Sequence, residues 1–416
     1  MLVEKVGLSF SLIKTQPNPM KYLALLIIPI LLLACNPPAN TPEVSSSTTV
    51  MAYYVPKDNY MPEDLPLDQL THIIYSFTHV IEGEMAFRNE EKAGPILSAL
   101  VALRDSLYPD LKVMIACGGW GADGFSDMAL IPETRKAFVE SAVAFNKKYG
   151  LDGLDVDWEY PSISGAGTMA RPEDKENFTA LMQELRAGLD QLDRSQTLTF
   201  ASAGWERYYD NIELDKVMPV IDYMNVMTYD QVTIYTPYTG HHTPLGWIRA
   251  EDIEPYPAKA YVKERQEAMA EEGLTWSPGS AEHITNFCVE NGIDPKKIVI
   301  GAAFYGRAWK GVPPQENGLY QPNSGAHIGW SAYRQIRDEF EEKNGYTRYW
   351  DPVAEAPYLY NPADSIFISY DDTVSVRMKT EFVQDNGLGG IMFWQLSDDT
   401  QDENNLLDAI HAAASR

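Results

Sequence analysis

One feature limits the fold more than any other: an alternation that starts near Val50 and runs to the end of the chain. Short apolar runs rich in β-formers are separated by stretches whose apolar residues recur at helical spacing. The runs fall at 50–55, 72–78, 112–118, 152–159, 198–203, 222–229, 297–305 and 389–396. Strands joined through helices run parallel, because the helix carries the chain back to the starting edge. Eight such units predict a closed (β/α)8 barrel. The intervening helices fit this pattern. Phe178, Leu181, Met182, Leu185, Leu189 and Leu192 share one helical face, and Pro172, Glu173 and Asp174 suit its first turn. A second helix over 133–149 stops at Gly150, a common C-terminal breaker.

A barrel takes roughly 250 residues, and this chain has 416. The excess is expected mainly between the seventh and eighth strands, at 310–373, leaving 50–309 and 374–416 as the barrel. That stretch holds Pro313-Pro314, Gly345-Tyr346 and strand-like runs at 358–360 and 366–370.

The first 35 residues are expected to lie outside the fold. Met20-Lys21 and the apolar run 22–34 have the layout of a secretory signal, and the run is short for a membrane-spanning helix. Leu32-Leu33-Ala34-Cys35 resembles a bacterial lipoprotein cleavage box, with Cys35 as the lipidated first residue; an uncleaved anchor is the alternative. Residues 1–19 read as an upstream extension and 36–49 as a flexible tether. A net charge of −26 argues against nucleic acid and anionic membrane surfaces as partners, so a membrane is expected only through lipid at Cys35. Cys117 and Cys288 cannot build a disulfide framework and lack metal-ligand spacing; they read as buried thiols.

The chemistry is concentrated in the fourth run, Asp152-Gly-Leu-Asp-Val-Asp-Trp-Glu-Tyr-Pro161. In a strand Asp155, Asp157 and Glu159 share one face, and Leu154, Val156 and Trp158 the other. Three carboxylates suit no apolar core, since a buried charge needs a partner or must become neutral. A solvated edge strand is one reading. A cation site is a second, although the segment is extended rather than a turning loop. The third is an acid that cleaves a glycosidic bond: crowding raises one carboxyl's pKa, and Glu159 stands where the strand opens. Asp157 and Glu159 leave the strand in one direction, roughly 7 Å apart. Such a pair is poorly placed to be acid and opposed nucleophile, so the nucleophile must come from elsewhere.

The pattern Asp-x-x-Asp-x-Asp-x-Glu, present as Asp152, Asp155, Asp157 and Glu159, resembles that of glycoside hydrolase family 18 chitinases. Other strand ends are similar to the corresponding family strands. They carry Tyr53, Phe77, Gly118-Gly119-Trp120, Met227 and Tyr229-Asp230, Tyr305 with Arg307, and Trp394. The resemblance covers nearly all of 50–416 and implies that 310–373 is a small α+β insertion walling the cleft.

It further implies substrate-assisted, retaining hydrolysis of β-1,4-linked N-acetylglucosamine. Glu159 would protonate the glycosidic oxygen, the sugar's acetamide would attack, Asp157 would stabilise the oxazolinium, and Asp155 would share a proton with Asp157. Tyr229 would bind the acetamide oxygen. Trp394 would floor the subsite before the cleavage point, with Tyr53, Phe77, Trp120, Met227, Asp230, Tyr305 and Arg307 also binding substrate. Asp152 has the wrong parity to face the cleft and is expected to be structural. No metal or organic cofactor is required. A monomer in a bacterial cell envelope, acting on chitin or chitooligosaccharides, is expected.

Two departures stand out. Ala116 replaces a serine that helps hold the first inward aspartate in many relatives, which predicts a modest shift of pH optimum. The loop after Asp230 has Tyr235 and Tyr238 but no tryptophan beneath the leaving sugar. Two other functions fit the same barrel. A glycan-binding lectin would typically lack the terminal glutamate. An endo-acting enzyme on N-glycan cores would tend to lack the insertion and the Met-Thr-Tyr-Asp ending.

Overall fold

The structure, a computed structural model, describes residues 48–57, 60–273, 276–403 and 405–416. The expected signal segment, Cys35 and residues 36–47 of the tether lie outside the described residues. Thr49, assigned above to the tether, instead opens the first strand, because it pairs with Gly390. Among the described residues no helix is long and apolar enough to cross a membrane.

The chain forms β1 (Thr49–Tyr54), β2 (His72–Ile81), a short β3 (Glu84–Ala86), β4 (Lys112–Gly118), β5 (Gly153–Asp157), β6 (Thr197–Ala203), β7 (Tyr223–Met227) and β8 (Ile298–Ala303). There follow β9 (Tyr305–Lys310), β10 (Ala326–Ala332), β11 (Thr347–Asp351), β12 (Ala356–Asn361), β13 (Ile366–Ser369) and β14 (Gly390–Trp394). Eight of these run parallel in the order β1-β14-β8-β7-β6-β5-β4-β2, and β1 also pairs with β2, which closes the barrel. The expected (β/α)8 architecture is the one found.

Strand alternation sorts the side chains into two layers. Ile73, Val113, Leu154, Val156, Phe200 and Ile300 point outward and pack with Leu97, Phe138, Phe178 and Leu185 of the surrounding helices. Met51, Tyr53, Ile74, Met114, Ala116, Val299 and Met392 fill the barrel interior. Leu154 and Val156 face the helices, so Asp155 and Asp157 are sent inward. Trp158 completes the outward set, stacked on Phe125 with ring centroids 5.3 Å apart.

Several strands end sooner than their apolar runs. Those expected at 152–159, 222–229 and 297–305 are Gly153–Asp157, Tyr223–Met227 and Ile298–Ala303. Glu159, Tyr229 and Asp230 therefore sit on the loops just past the strand ends. Tyr305 and Arg307, expected on the seventh barrel strand, lie on β9, which is antiparallel to β10 and β13. Their ladder partners Ala332 and Ser369 hold them there.

A five-stranded antiparallel sheet, ordered β10-β9-β13-β12-β11, thus begins at Tyr305, ahead of the expected boundary at 310. Its apolar face, including Trp309, Tyr358 and Phe367, is covered by Ile248, Ile253, Ala258 and Val262 from the connection between β7 and β8. The surplus chain accordingly lies in two connections. A sheet with one apolar face needs a cover, and the earlier connection supplies it. A fully buried pair, Lys379 and Asp371 at 2.7 Å, ties the sheet to the barrel. Asp371 also accepts from the Ala303 N–H at the end of β8, and Lys379 from its other side donates to Thr243. Cys117 and Cys288 are buried free thiols.

Candidate active site

Asp155 is the best-supported of the inward acids. One carboxyl oxygen accepts from the Tyr53 hydroxyl at 3.0 Å. The other accepts from Thr199 at 2.5 Å and from the Asn225 amide at 3.2 Å. Burial pushes its pKa up to about 6, and the three donors hold it from going higher. Tyr53, expected to touch substrate, is 2% exposed and commits its hydroxyl to Asp155. Thr199 and Asn225 were not foreseen. Ala116, Asp155 and Thr199 are neighbours on one rung of β4, β5 and β6, so Asp155 has a methyl group on one side and a hydroxyl on the other.

Asp157 has no such support. It is 5% exposed, and its Oδ1 is buried without a hydrogen-bond partner. Burial, then the charges of Glu159 and Asp155, hold its carboxyl well above the usual range. Glu159 is 8% exposed, and burial pushes it up to about 7. A hydrogen bond with Tyr160 opposes that rise, while the Asp230 charge adds to it. The backbone around the acids is close-fitted. Gly118 has φ +125°, and a Cβ there would stand 1.9 Å from the Asp157 carbonyl oxygen, so only glycine fits.

Tyr229 is 9% exposed, and its edge lies against Gly301, where a Cβ would approach the ring to 2.7 Å. Asp230, in the left-handed region at φ 56°, turns its carboxylate toward β9. There it accepts from the Tyr305 hydroxyl at 2.8 Å and from Arg307 Nε and a terminal nitrogen at 2.8 and 3.0 Å. Burial alone would raise its pKa, but His242 and the Arg307 guanidinium hold it well below the usual carboxylate range. Asp230, Tyr305 and Arg307, expected as separate contacts, are one network. His242, 3.7 Å from Asp230 and in contact with the Tyr305 carbonyl, belongs to it and was not foreseen.

The aromatic groups form two sets. Trp394, the last residue of β14, stacks on Phe77 at 5.4 Å and tilts against Tyr53 at 5.9 Å. Met227 packs at the edge of the same interior cluster. On the other side Tyr160, next to Glu159, is flanked by Trp120 at 6.4 Å and Trp205 at 5.1 Å. Trp120 is 67% exposed, at the rim. Trp205 was overlooked, although it follows the end of β6 as Trp120 follows β4; the strand-end rule that found the other aromatics would have found it. Asp152 turns away from this site. It receives Arg104, Arg194 and the Val113 N–H, and it pins β4 and β5 at the opposite end, the structural part expected of it.

Comparison with known proteins agrees with this geometry. The family model described as Glycosyl hydrolases family 18 matches residues 49–399. The chain belongs to glycosyl hydrolase family 18. Chitinase A1 of Niallia circulans is 38% identical over 303 residues, covering 70% of this family 18 chain and 41% of the relative. Chitinase B of Serratia marcescens is 29% identical over 405 residues, covering 82% and 75%. The chain thus spans less than half the length of the first relative and three quarters of the second. Among solved structures, a family 18 N-acetylglucosaminidase from Paenibacillus barengoltzii superposes with TM-score 0.74 at 35% identity, covering 88% of this chain and 99% of that one. Chitinase ChiA74 from Bacillus thuringiensis gives TM-score 0.78 at 29% identity, covering 89% and 70%.

Proposed function

We propose that this family 18 hydrolase is a chitinase that cleaves β-1,4-linked N-acetylglucosamine with retention, using the substrate's acetamide as nucleophile. The observation that carries the mechanism is the pairing of Glu159, whose pKa is near 7, with Asp157, whose buried Oδ1 lacks a partner. A buried polar atom left alone is costly, and a sugar acetamide N–H supplies what Asp157 lacks.

In this account Glu159 gives its proton to the glycosidic oxygen as the bond to the anomeric carbon breaks. The acetamide carbonyl oxygen bonds to that carbon, and the resulting oxazolinium is held by Asp157 through the N–H. Glu159, now a carboxylate, takes a proton from the water that opens the ring, so the configuration is retained. Asp155 sits one rung deeper and shares a proton with Asp157. Tyr229 binds the acetamide oxygen. Trp394 floors the sugar whose anomeric carbon reacts, with Phe77 behind it, and Asp230, held by Tyr305 and Arg307, receives a sugar hydroxyl. Trp120 and Trp205 lie on the leaving side, where aromatic faces stack on sugar rings. Residues 310–373 form with β9 the wall of the cleft.

The enzyme works at the bacterial cell envelope, held by lipid on Cys35, as the Leu-Leu-Ala-Cys sequence suggests. Two chromogenic substrates test the chemistry: a chitobioside, which is hydrolysed, and its analogue lacking the 2-acetamido group, which is not. Cleavage of both at similar rates would remove the substrate-assisted step.

A further inference from the structure

Past β14 the chain carries a knot that the chemistry above leaves unused. Asp398 is fully buried, and its carboxylate accepts from Lys57 Nζ at 2.5 Å and from the Trp330 indole N–H at 3.1 Å. The Arg334 guanidinium lies 3.5 Å away. Lys57 follows β1, Trp330 lies on β10 and Arg334 comes just after it, so one carboxylate joins two barrel loops to the small sheet. The seam continues on either side. The Val55 N–H donates to Gln395 Oε1 at 3.3 Å, the Ser397 hydroxyl donates to the Val55 carbonyl at 2.6 Å, and Arg334 donates to the Ser397 carbonyl.

Trp330 is aimed into this seam by a β-bulge. The register of β10 against β9 slips between Ile328 and Ser331, and bulges re-aim the side chains they contain. Arg307 donates to the Gly329 carbonyl, which pins the bulge. The indole then lies flat on Tyr305, ring centroids 3.6 Å apart and 9° from parallel, and is still 38% exposed. The Arg307 guanidinium stands 5.1 and 5.4 Å from the two rings. Because Tyr305 donates to Asp230, a continuous set of contacts runs from the reacting sugar's binding groups to the buried Asp398.

We propose that the bridge from Trp330 to Asp398 closes the cleft on the non-reducing side of the cleaved bond, so that the enzyme works from a chain end and releases a short product of fixed length. The proposal rests on the chitinase reading, in which Trp394 holds the sugar that is attacked and the leaving part extends past Glu159 toward Trp120 and Trp205. The loops after β1 and β14, which supply Lys57 and Asp398, lie across the barrel from β5 and its Glu159, so a polymer continuing beyond Trp394 would run toward the half-exposed indole and the Lys57–Asp398 pair. A hollow of about 500 Å³ lies against the knot, lined by Lys57, Tyr60, Arg334 and Asp402, and none of Trp394, Phe77 or Tyr53 contributes to it. Trp330 is therefore a specificity-determining residue, and Asp398 is the positioning residue that holds it.

The test uses a long chitooligosaccharide labelled at its reducing end, sampled early in the reaction. The parent enzyme is expected to release one unlabelled product and leave labelled remainders shortened by single steps. Trp330→Ala and Asp398→Asn each raise the share of internal cuts several-fold. Trp330→Phe, which keeps a ring on Tyr305 but loses the N–H to Asp398, falls between. Thermal unfolding of each variant is recorded; should Asp398→Asn fail to fold, the two Trp330 variants decide. Labelled fragments of every length from the first sample of the parent, or an unchanged ladder in Trp330→Ala, would overturn the proposal while leaving a chitinase. A parent that cleaves no chitooligosaccharide would overturn the chitinase reading itself, and this proposal with it.

Discussion

Thr199 donates its hydroxyl to Asp155 at 2.5 Å from the strand opposite the one that carries Ala116. The two neighbours of Asp155 on this rung differ: Ala116 on β4 offers only a methyl group, and the hydroxyl comes from Thr199 on β6. Asp155 thus keeps a charge-stabilising donor despite the substitution that sequence reading singled out.

The pH profile should follow the Thr199 donor. A donor to the carboxylate favours its ionised form and lowers its pKa. Thr199→Val, which preserves shape and removes the hydroxyl, raises the Asp155 pKa above about 6. The acidic limb of kcat/KM then moves to higher pH. Ala116→Ser adds a donor on the same rung and moves the limb modestly down. Profiles that coincide with the parent's for both variants would show that Asp155 does not set this limb.

Stability should also depend on pH through Glu159. Its folded pKa of about 7 lies above the ordinary glutamate value of 4.5, so the folded state binds the proton more tightly than the unfolded chain. The neutral acid's contribution is fully present below about 4.5 and is lost as pH rises through about 7. Glu159→Gln removes the ionisation. Its melting temperature should match the parent's at pH 4 and exceed it at pH 8, by an amount on the order of 3 kcal/mol in folding free energy. An equal difference at both pH values would contradict the raised pKa.

Gly301 leaves the Tyr229 ring room to pack against the strand. A methyl group there would stand 2.7 Å from the Tyr229 ring and 2.9 Å from the Met392 methyl. Gly301→Ala should destabilise the fold by about 1–3 kcal/mol through overpacking and lower kcat by displacing the tyrosine. A variant of full stability and full kcat would show that the ring has room to move.

The fold and the acids were legible because both are written locally. Period-2 alternation places Asp155 and Asp157 opposite Leu154 and Val156 without reference to any other strand, and strand-end aromatics such as Trp394 follow from the same count. What could not be read depends on which distant segments meet. Thr199 and Asn225 reach Asp155 only because β6 and β7 follow β5 around the barrel. His242 and Asp230 meet only after the loop past β7 folds back. The position of Trp330 is set by a bulge, which has no periodic signature, and its partner Asp398 belongs to another connection. Tyr305 and Arg307 were correctly paired on one face, yet their strand belongs to the small sheet, because apolar character continues through the chain's turn from β8 into β9.

The central claim is that Glu159 holds a proton near neutral pH and delivers it to the glycosidic oxygen. Its most direct test is the rate at which Glu159→Gln hydrolyses chitooligosaccharides, measured beside the parent at the parent's optimum. Loss of a general acid is expected to lower kcat by about 100-fold or more, with oligosaccharide binding retained. A variant that turns over within a few-fold of the parent would contradict the assignment of Glu159 and the roles built upon it.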